Sequence, residues 1–424
     1  MKKNYFLIGL LAVGLSLTTV SCGDDDPTNG GNNGDQVDNN GNGGDQDDNG
    51  NGSDDSNLSE EEKAQNLDYT SENAAAWGNY AVHVANLLES DANTLKNQWE
   101  NSYAEAFKNH TSESGFQSGS DCVDQMIDGM VDIANEVGTS KIGEPYDLYK
   151  AGEYNKALYA VESWYSYHSR EDYCNNILSI ARSLAGTRVE NDFVNKTLAQ
   201  AVADGSVVAN SILGHCYNTP SLREAGVNVW NNTIAAWKAI DKIDQPFRNN
   251  IGSAQTQVAM DACEVLTQSL EGIKSNLHDS FEDDAVAEAI AKQFVDVVVL
   301  PTYRDLAAKN TALAQAVRAL QANPSDEAFE NACDAWMEAR KPWETSEAFL
   351  FGPVAELGLD PNMDSWPLDA VGISNLLKSQ NWSDMEWSGN FDEDSEAIGA
   401  AQSLRGFHTL EFLLYKNGNP RKMK

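Results

Sequence analysis

Basic residues are scarce in this chain: 29 Lys and Arg stand against 65 Asp and Glu, a formal net charge of −36 at pH 7. Phosphate backbones are held by clustered Lys and Arg, so a chain whose few cations are scattered is excluded from direct nucleic-acid binding. Cysteine is scarce as well, six residues with no CxxC pair. That spacing excludes a zinc ribbon and a disulfide-framed scaffold, and leaves Cys122, Cys174, Cys216, Cys263 and Cys333 as small buried hydrophobes with at most one or two bridges. HExxH, HxxEH, Glu-x-x-His, GxSxG, phosphate-binding Gly-rich loops and the dinucleotide fingerprint are all missing. Their absence removes the commonest zinc-peptidase, di-iron, serine-hydrolase, kinase and dehydrogenase arrangements. Alternating runs of Val, Ile and Thr are also rare, so sheet is not expected.

What is present begins with Lys2 and Lys3, an apolar stretch over 6–20 too short to span a bilayer comfortably, and Ser21 before Cys22. This is the pattern of a secretory signal over 1–21, and Thr19-Val20-Ser21-Cys22 resembles a lipobox in which Cys22 carries the lipid. Thr19 stands where Leu is usual. Residues 22–65 are then almost entirely Gly, Asn, Asp, Ser and Gln, with too little apolar surface to offset chain ordering: a flexible acidic linker. Ten Asp and Glu60 to Glu62 in it carry 13 of the 36 net negative charges. The run Gly23-Asp24-Asp25-Asp26 resembles the acidic signal that sends some bacterial lipoproteins to the outer surface. The expected location is the cell envelope, anchored to the outer membrane through Cys22 and either periplasmic or surface-exposed.

From residue 66 onward apolar positions recur at helical spacing, and the fold class expected is all-α. Helices are predicted near 72–110, 121–138, 156–185, 192–214, 222–244 and 252–277, then near 285–321, 326–350, 368–379 and 396–416. The grouping suggests two four-helix-bundle-like domains, 66–280 and 281–424, joined where acidic residues cluster near 278–284.

Three stretches place polar groups in apolar faces. From the Ser325 cap, Phe329, Cys333, Trp336, Arg340, Trp343, Glu347 and Leu350 follow a 4-3-4-3 spacing, so Arg340 and Glu347 share an aromatic stripe and need partners there. Arg340 either pairs with Glu347 or another carboxylate to hold the bundle, or serves a site. The last helix, Leu404-Arg405-Gly406-Phe407-His408-Thr409-Leu410-Glu411-Phe412-Leu413-Leu414-Tyr415, is apolar nearly all round, with His408 and Glu411 three apart on one face. They are either a satisfied buried pair or a metal or ligand site, and can supply at most two metal ligands. In the third stretch, Asp172 and Asn176 lie one turn apart and follow Tyr165 and Ser166; alone they read as bundle hydrogen bonds.

Gly406-Phe407-His408-Thr409-Leu410-Glu411 resembles the GxHxxE signature of imelysin-like proteins. Leu300-Pro301-Thr302-Tyr303, Ala335-Trp336-Met337-Glu338-Ala339-Arg340, Ser346-Glu347-Ala348-Phe349 and Asp364-Ser365-Trp366-Pro367-Leu368-Asp369 are similar to further family segments, as are Tyr165-Ser166 with Asp172 and Asn176. In common imelysins the Leu-Pro-Thr-Tyr helix opens the domain, whereas here it begins near 300, so the resemblance implies a circularly permuted architecture of two bundles with a cleft between them. It further implies that Gly406, His408, Glu411, Arg340, Glu347, Asp364 and Trp366 meet Ser166, Asp172 and Asn176 at that cleft. The family is associated with iron acquisition, so the ligand implied is iron, haem or another divalent metal, or an iron-linked molecule, with His408 and Glu411 the metal ligands and envelope iron-uptake components the partners. A metallopeptidase-type hydrolase using HxxE and an envelope adaptor remain as alternatives.

Overall fold

The computed structural model describes residues 59–424; the expected signal, the expected lipidation at Cys22 and most of the expected linker fall outside them. Among the described residues the chain is helical apart from one two-residue hairpin, Tyr415–Lys416 against Asn419–Pro420. The last residues assigned to the linker prove ordered. Ser59 and Glu62 form a reciprocal capping box that starts helix Glu60–Gln65, which packs on Ala370–Ser379 with Ala64 buried.

Helix Ala74–Gln98 buries Trp77, Tyr80, Val84, Leu88 and Leu95, a three-and-four spacing that makes one apolar stripe. The stripe packs along Leu300–Ala322, and Asp326–Glu344 and Gly406–Leu414 complete that group. A second group comprises Gly119–Glu136, Ser169–Ala185, Arg223–Asp241, Ala254–His278 and Asp284–Phe294. A division at residue 280 does not describe this packing, because each group takes helices from both halves of the chain. The crossing is made by continuous rods: Asp284–Phe294 passes through a π-helical turn, Val295–Val299, directly into Leu300–Ala322. The described residues, 59–424, all fall within one compact unit.

Four predicted helices are interrupted, among them 396–416, which breaks at 403–405 between Glu396–Gln402 and Gly406–Leu414 and gives way to strand at Tyr415. The stretch 156–185 breaks between Tyr154–Tyr159 and Ser169–Ala185, where Ser163 (φ 50°) and Tyr167 (φ 64°) adopt left-handed backbone. The stretch 192–214 resolves into short pieces, Asn191–Asn195, Leu198–Ala203 and Ile212–Asn218. The helix capped by Ser325 ends at Glu344, so Glu347 sits beyond it in a 3-10 turn, Glu347–Phe349. That turn wedges between Gly119–Glu136 and Ser169–Ala185, and Gly129 permits it: a Cβ there would come within 2.4 Å of the Ala348 carbonyl oxygen. The five cysteines after the linker are buried free thiols. Among the described residues no helix is long and apolar enough to cross a membrane.

Candidate functional site

The last helix is positioned by its first residue. Gly406 has φ +94°, and a Cβ on it would lie 2.6 Å from the Met363 carbonyl oxygen, so only glycine lets the helix start press against the backbone before Asp364. That contact sets His408 beside Asp364. The imidazole is held at both nitrogens, Nδ1 3.1 Å from Glu411 Oε2 and Nε2 3.1 Å from Asp364 Oδ1, while the Trp366 ring meets it edge-to-face at 4.8 Å. The other Glu411 oxygen accepts from the Ser166 backbone N–H (2.7 Å), the Ser166 hydroxyl (2.7 Å) and the Tyr165 N–H (3.1 Å).

Arg340 crosses this cluster from helix Asp326–Glu344. Its Nε faces Asp172 at 3.3 Å, its Nη1 donates to Asp364, and its Nη2 lies 2.7 Å from Glu344 and 3.3 Å from His408 Nε2. Its carboxylate partners therefore do not include Glu347, and each of its three nitrogens already faces a group of the protein. Asp172 also accepts from the Ser163 hydroxyl, and Asn176 donates to Glu344. Asp364 accepts from the Trp343 indole at 2.7 Å. The ten residues singled out in the sequence thus gather around one junction, Gly406 as a packing contact and Glu347 at its edge.

The junction is filled rather than open. His408, Glu411, Arg340 and Asn176 are fully buried and Asp172 is 1% exposed; only Ser166, Asp364 and Trp366 among the predicted residues are half-buried. In place of the expected cleft the two helix groups close on each other here, with Arg340 of one group meeting Asp172 of the other across the boundary.

Several members escaped the sequence reading. Glu344 lies one helical turn after Arg340, a signal the i, i+4 rule contains. Asp360 likewise precedes Asp364 by one turn. Lys141 carried no such signal: it ends a π-helical turn, Val137–Lys141, and reaches Glu162 at 2.9 Å and Glu136 at 3.5 Å. Burial raises the carboxyl of Glu344 to about 8 against the opposing pull of Arg340. It likewise lifts Glu347 well above the usual range and, together with the Asp364 charge, takes Asp360 to about 7. Burial pushes Asp364 upward too, but Arg340 and His408 prevail and hold it well below the usual range. For His408, burial and Arg340 oppose protonation, yet Asp364 and Glu411 keep its pKa at about 9. The cluster holds more acid groups than cations can balance, and protons make up the difference.

Glu344, Glu347 and Asp364 each offer an oxygen such that the three lie within 4.8 Å of one another, a spacing that fits a single cation. The pair expected as metal ligands is differently placed: Glu411 is engaged by the Tyr165 and Ser166 backbone N–H groups, the Ser166 hydroxyl and His408, while His408 stands next to the trio through Asp364. A second group, His110, Asp284 and Glu288, is half-buried and remote in sequence from these residues. The other histidines are accounted for locally, His83 stacked on Trp382, His215 bonded to Ser280, His278 to Asp124, and His168 3.9 Å from Asp172.

Comparison with known proteins bears on the family and the all-α fold. A solved structure described as an imelysin peptidase from Bacteroides ovatus is 50% identical, with a TM-score of 0.78 over 85% of this chain and 100% of that one. A curated relative, iron-regulated protein A of Synechococcus elongatus, is 39% identical over 127 residues, 30% of this chain and 31% of that protein. The chain therefore spans about a third of the length of that relative. The sequence model of the imelysin family, peptidase family M75, matches residues 46–273 and 299–423. With most of its length so matched, the chain belongs to the imelysin family.

Proposed function

We propose that this protein captures a single metal cation, iron foremost, in the buried junction and passes it to uptake machinery of the cell envelope. The observation that carries this reading is the convergence of Glu344, Glu347 and Asp364 within 4.8 Å, in a setting where burial keeps Glu344 and Glu347 protonated until a cation replaces the proton. Carboxylate oxygens with an adjacent imidazole suit iron and similar divalent ions. His408 would join the ion only after losing its proton and turning Nε2 from Asp364. The iron-related role fits the family and its iron-regulated relative. In this reading Cys22 anchors the chain to the membrane and the acidic linker gives it reach.

The close packing favours a bare ion over haem or a large chelate, whose faces need an open pocket. It also disfavours hydrolysis, since a peptide carbonyl has no route to His408 or Glu411 in this arrangement.

The deciding experiment loads the full chain with Fe²⁺ under anoxic conditions and measures bound iron by elemental analysis. Wild type should retain about one ion per chain, and the Glu344→Gln, Glu347→Gln double variant none; glutamine imitates the protonated acid, so the fold should persist. No retained iron in wild type, or equal retention in the variant, would overturn the reading.

A further inference from the structure

The buried donors are thinly covered on the side of Trp366. On the side where Asp364, Ser365 and Trp366 are half-buried and Pro367 is exposed, the Trp366 indole meets His408 edge-to-face, ring centroids 4.8 Å apart. Its Nε1 donates to the Ala160 carbonyl oxygen at 3.1 Å. Ala160 begins the loop before helix Ser169–Ala185, the same loop whose Tyr165 and Ser166 grip Glu411 and whose Ser163 bonds Asp172. One side chain therefore bridges the Asp364 segment and the Glu411-binding loop, across the face of the histidine. That bridge is a single neutral hydrogen bond, whereas Asp364 and Glu411 beside it are held by charged ties to Arg340 and His408. The loop it closes is itself in an unfavourable conformation, with Ser163 and Tyr167 at φ 50° and 64°, where a bulky non-glycine residue is an outlier.

We infer that Trp366 is the gate of this site: the indole leaves His408 by releasing the Ala160 carbonyl, and entry to and exit from the buried donors are timed by that swing. The inference rests on the reading of the junction as a binding site, but its test does not use the ligand. Diethylpyrocarbonate, a small reagent that acylates neutral imidazole nitrogen, reports access to His408, and peptide mass spectrometry separates His408 from the other histidines.

In the full chain at fixed pH, Trp366→Phe keeps the aromatic cover and removes only the N–H. The His408 acylation rate should rise about two- to tenfold, the worth of one hydrogen bond in the opening equilibrium. Trp366→Ala should raise it further, while acylation of exposed His278 stays constant in both variants. A His408 rate unchanged in Trp366→Phe, or a rise matched at His278, would overturn the gate. Failure of wild type to retain iron would sink the functional proposal and leave this result standing, because no metal enters the measurement.

Discussion

Every nitrogen of the Arg340 guanidinium faces a partner, with Asp172, Asp364, Glu344 and His408 arranged around it. A planar cation with fixed donors is suited to this task, since it can neutralise several carboxylates drawn from different helices at once. Replacing Arg340 by Ala leaves those carboxylates buried without a cation, and breaking buried pairs on one side costs about 3–5 kcal/mol. We predict a loss of that size in denaturant-induced unfolding, with Arg340→Lys recovering only part of it because a point charge cannot face three directions. A variant as stable as wild type would show that the carboxylates simply take up protons in place of the guanidinium. At this scale the sequence was informative where helical spacing governs: His408 with Glu411 and Asp172 with Asn176 were visible as polar interruptions of apolar faces. Glu344 followed from the same spacing but was passed over for Glu347, because the aromatic stripe was extended past the real end of the helix. Lys141, Ser163 and Glu162 come from irregular backbone, for which periodicity says nothing.

Among the elements, the all-α class and the long helices were legible because their stripes are sustained, as in Ala74–Gln98 and Ala254–His278. The partnering of those helices was not, since an apolar stripe specifies that it will be covered and not by which neighbour. The ends of the folded body illustrate the point. Arg421, in the tail after Gly406–Leu414, donates to the Phe412 carbonyl at 2.8 and 3.0 Å, lies over Trp77 and Phe412, and pairs with Asp68 near the N-terminal side. Lys416 and Lys424 join the same carboxylate, and together with Arg421 they outweigh its burial and draw Asp68 down to about 2. Arg421→Ala should therefore lower stability by about 1.5–3 kcal/mol, the range for hydrogen bonds to charged groups. Amide exchange should accelerate in both 66–70 and 412–421, segments far apart in sequence; acceleration confined to the C-terminal tail would contradict a shared clasp.

For the molecule as a whole, the raised groups set how stability depends on pH. Glu344 moves from 4.5 to about 8, Asp360 from 3.8 to about 7 and His408 from 6.5 to about 9 in the folded state. Each binds its proton more tightly when folded, so its contribution is complete below its unfolded pKa and lost as pH rises through the folded value. The metal-free protein should accordingly show a falling thermal midpoint from pH 6 to 9, and Glu344→Gln should make the fall shallower. A midpoint that is level or rises over this interval would mean that these groups are already ionised in the fold. A bound cation should reverse the trend, because it displaces the same protons and binds more tightly as they become easier to remove. The residue that tempers this accumulation of negative charge is Lys141, delivered by the π-helical turn Val137–Lys141. Such a turn is an α-helix carrying one residue beyond its regular count. Removing that residue would rotate everything after it by about 100° about the helix axis, swinging the ammonium away from Glu136 and Glu162; the charge balance of the interior is thus written in the phase of a helix, not only in the identity of its side chains.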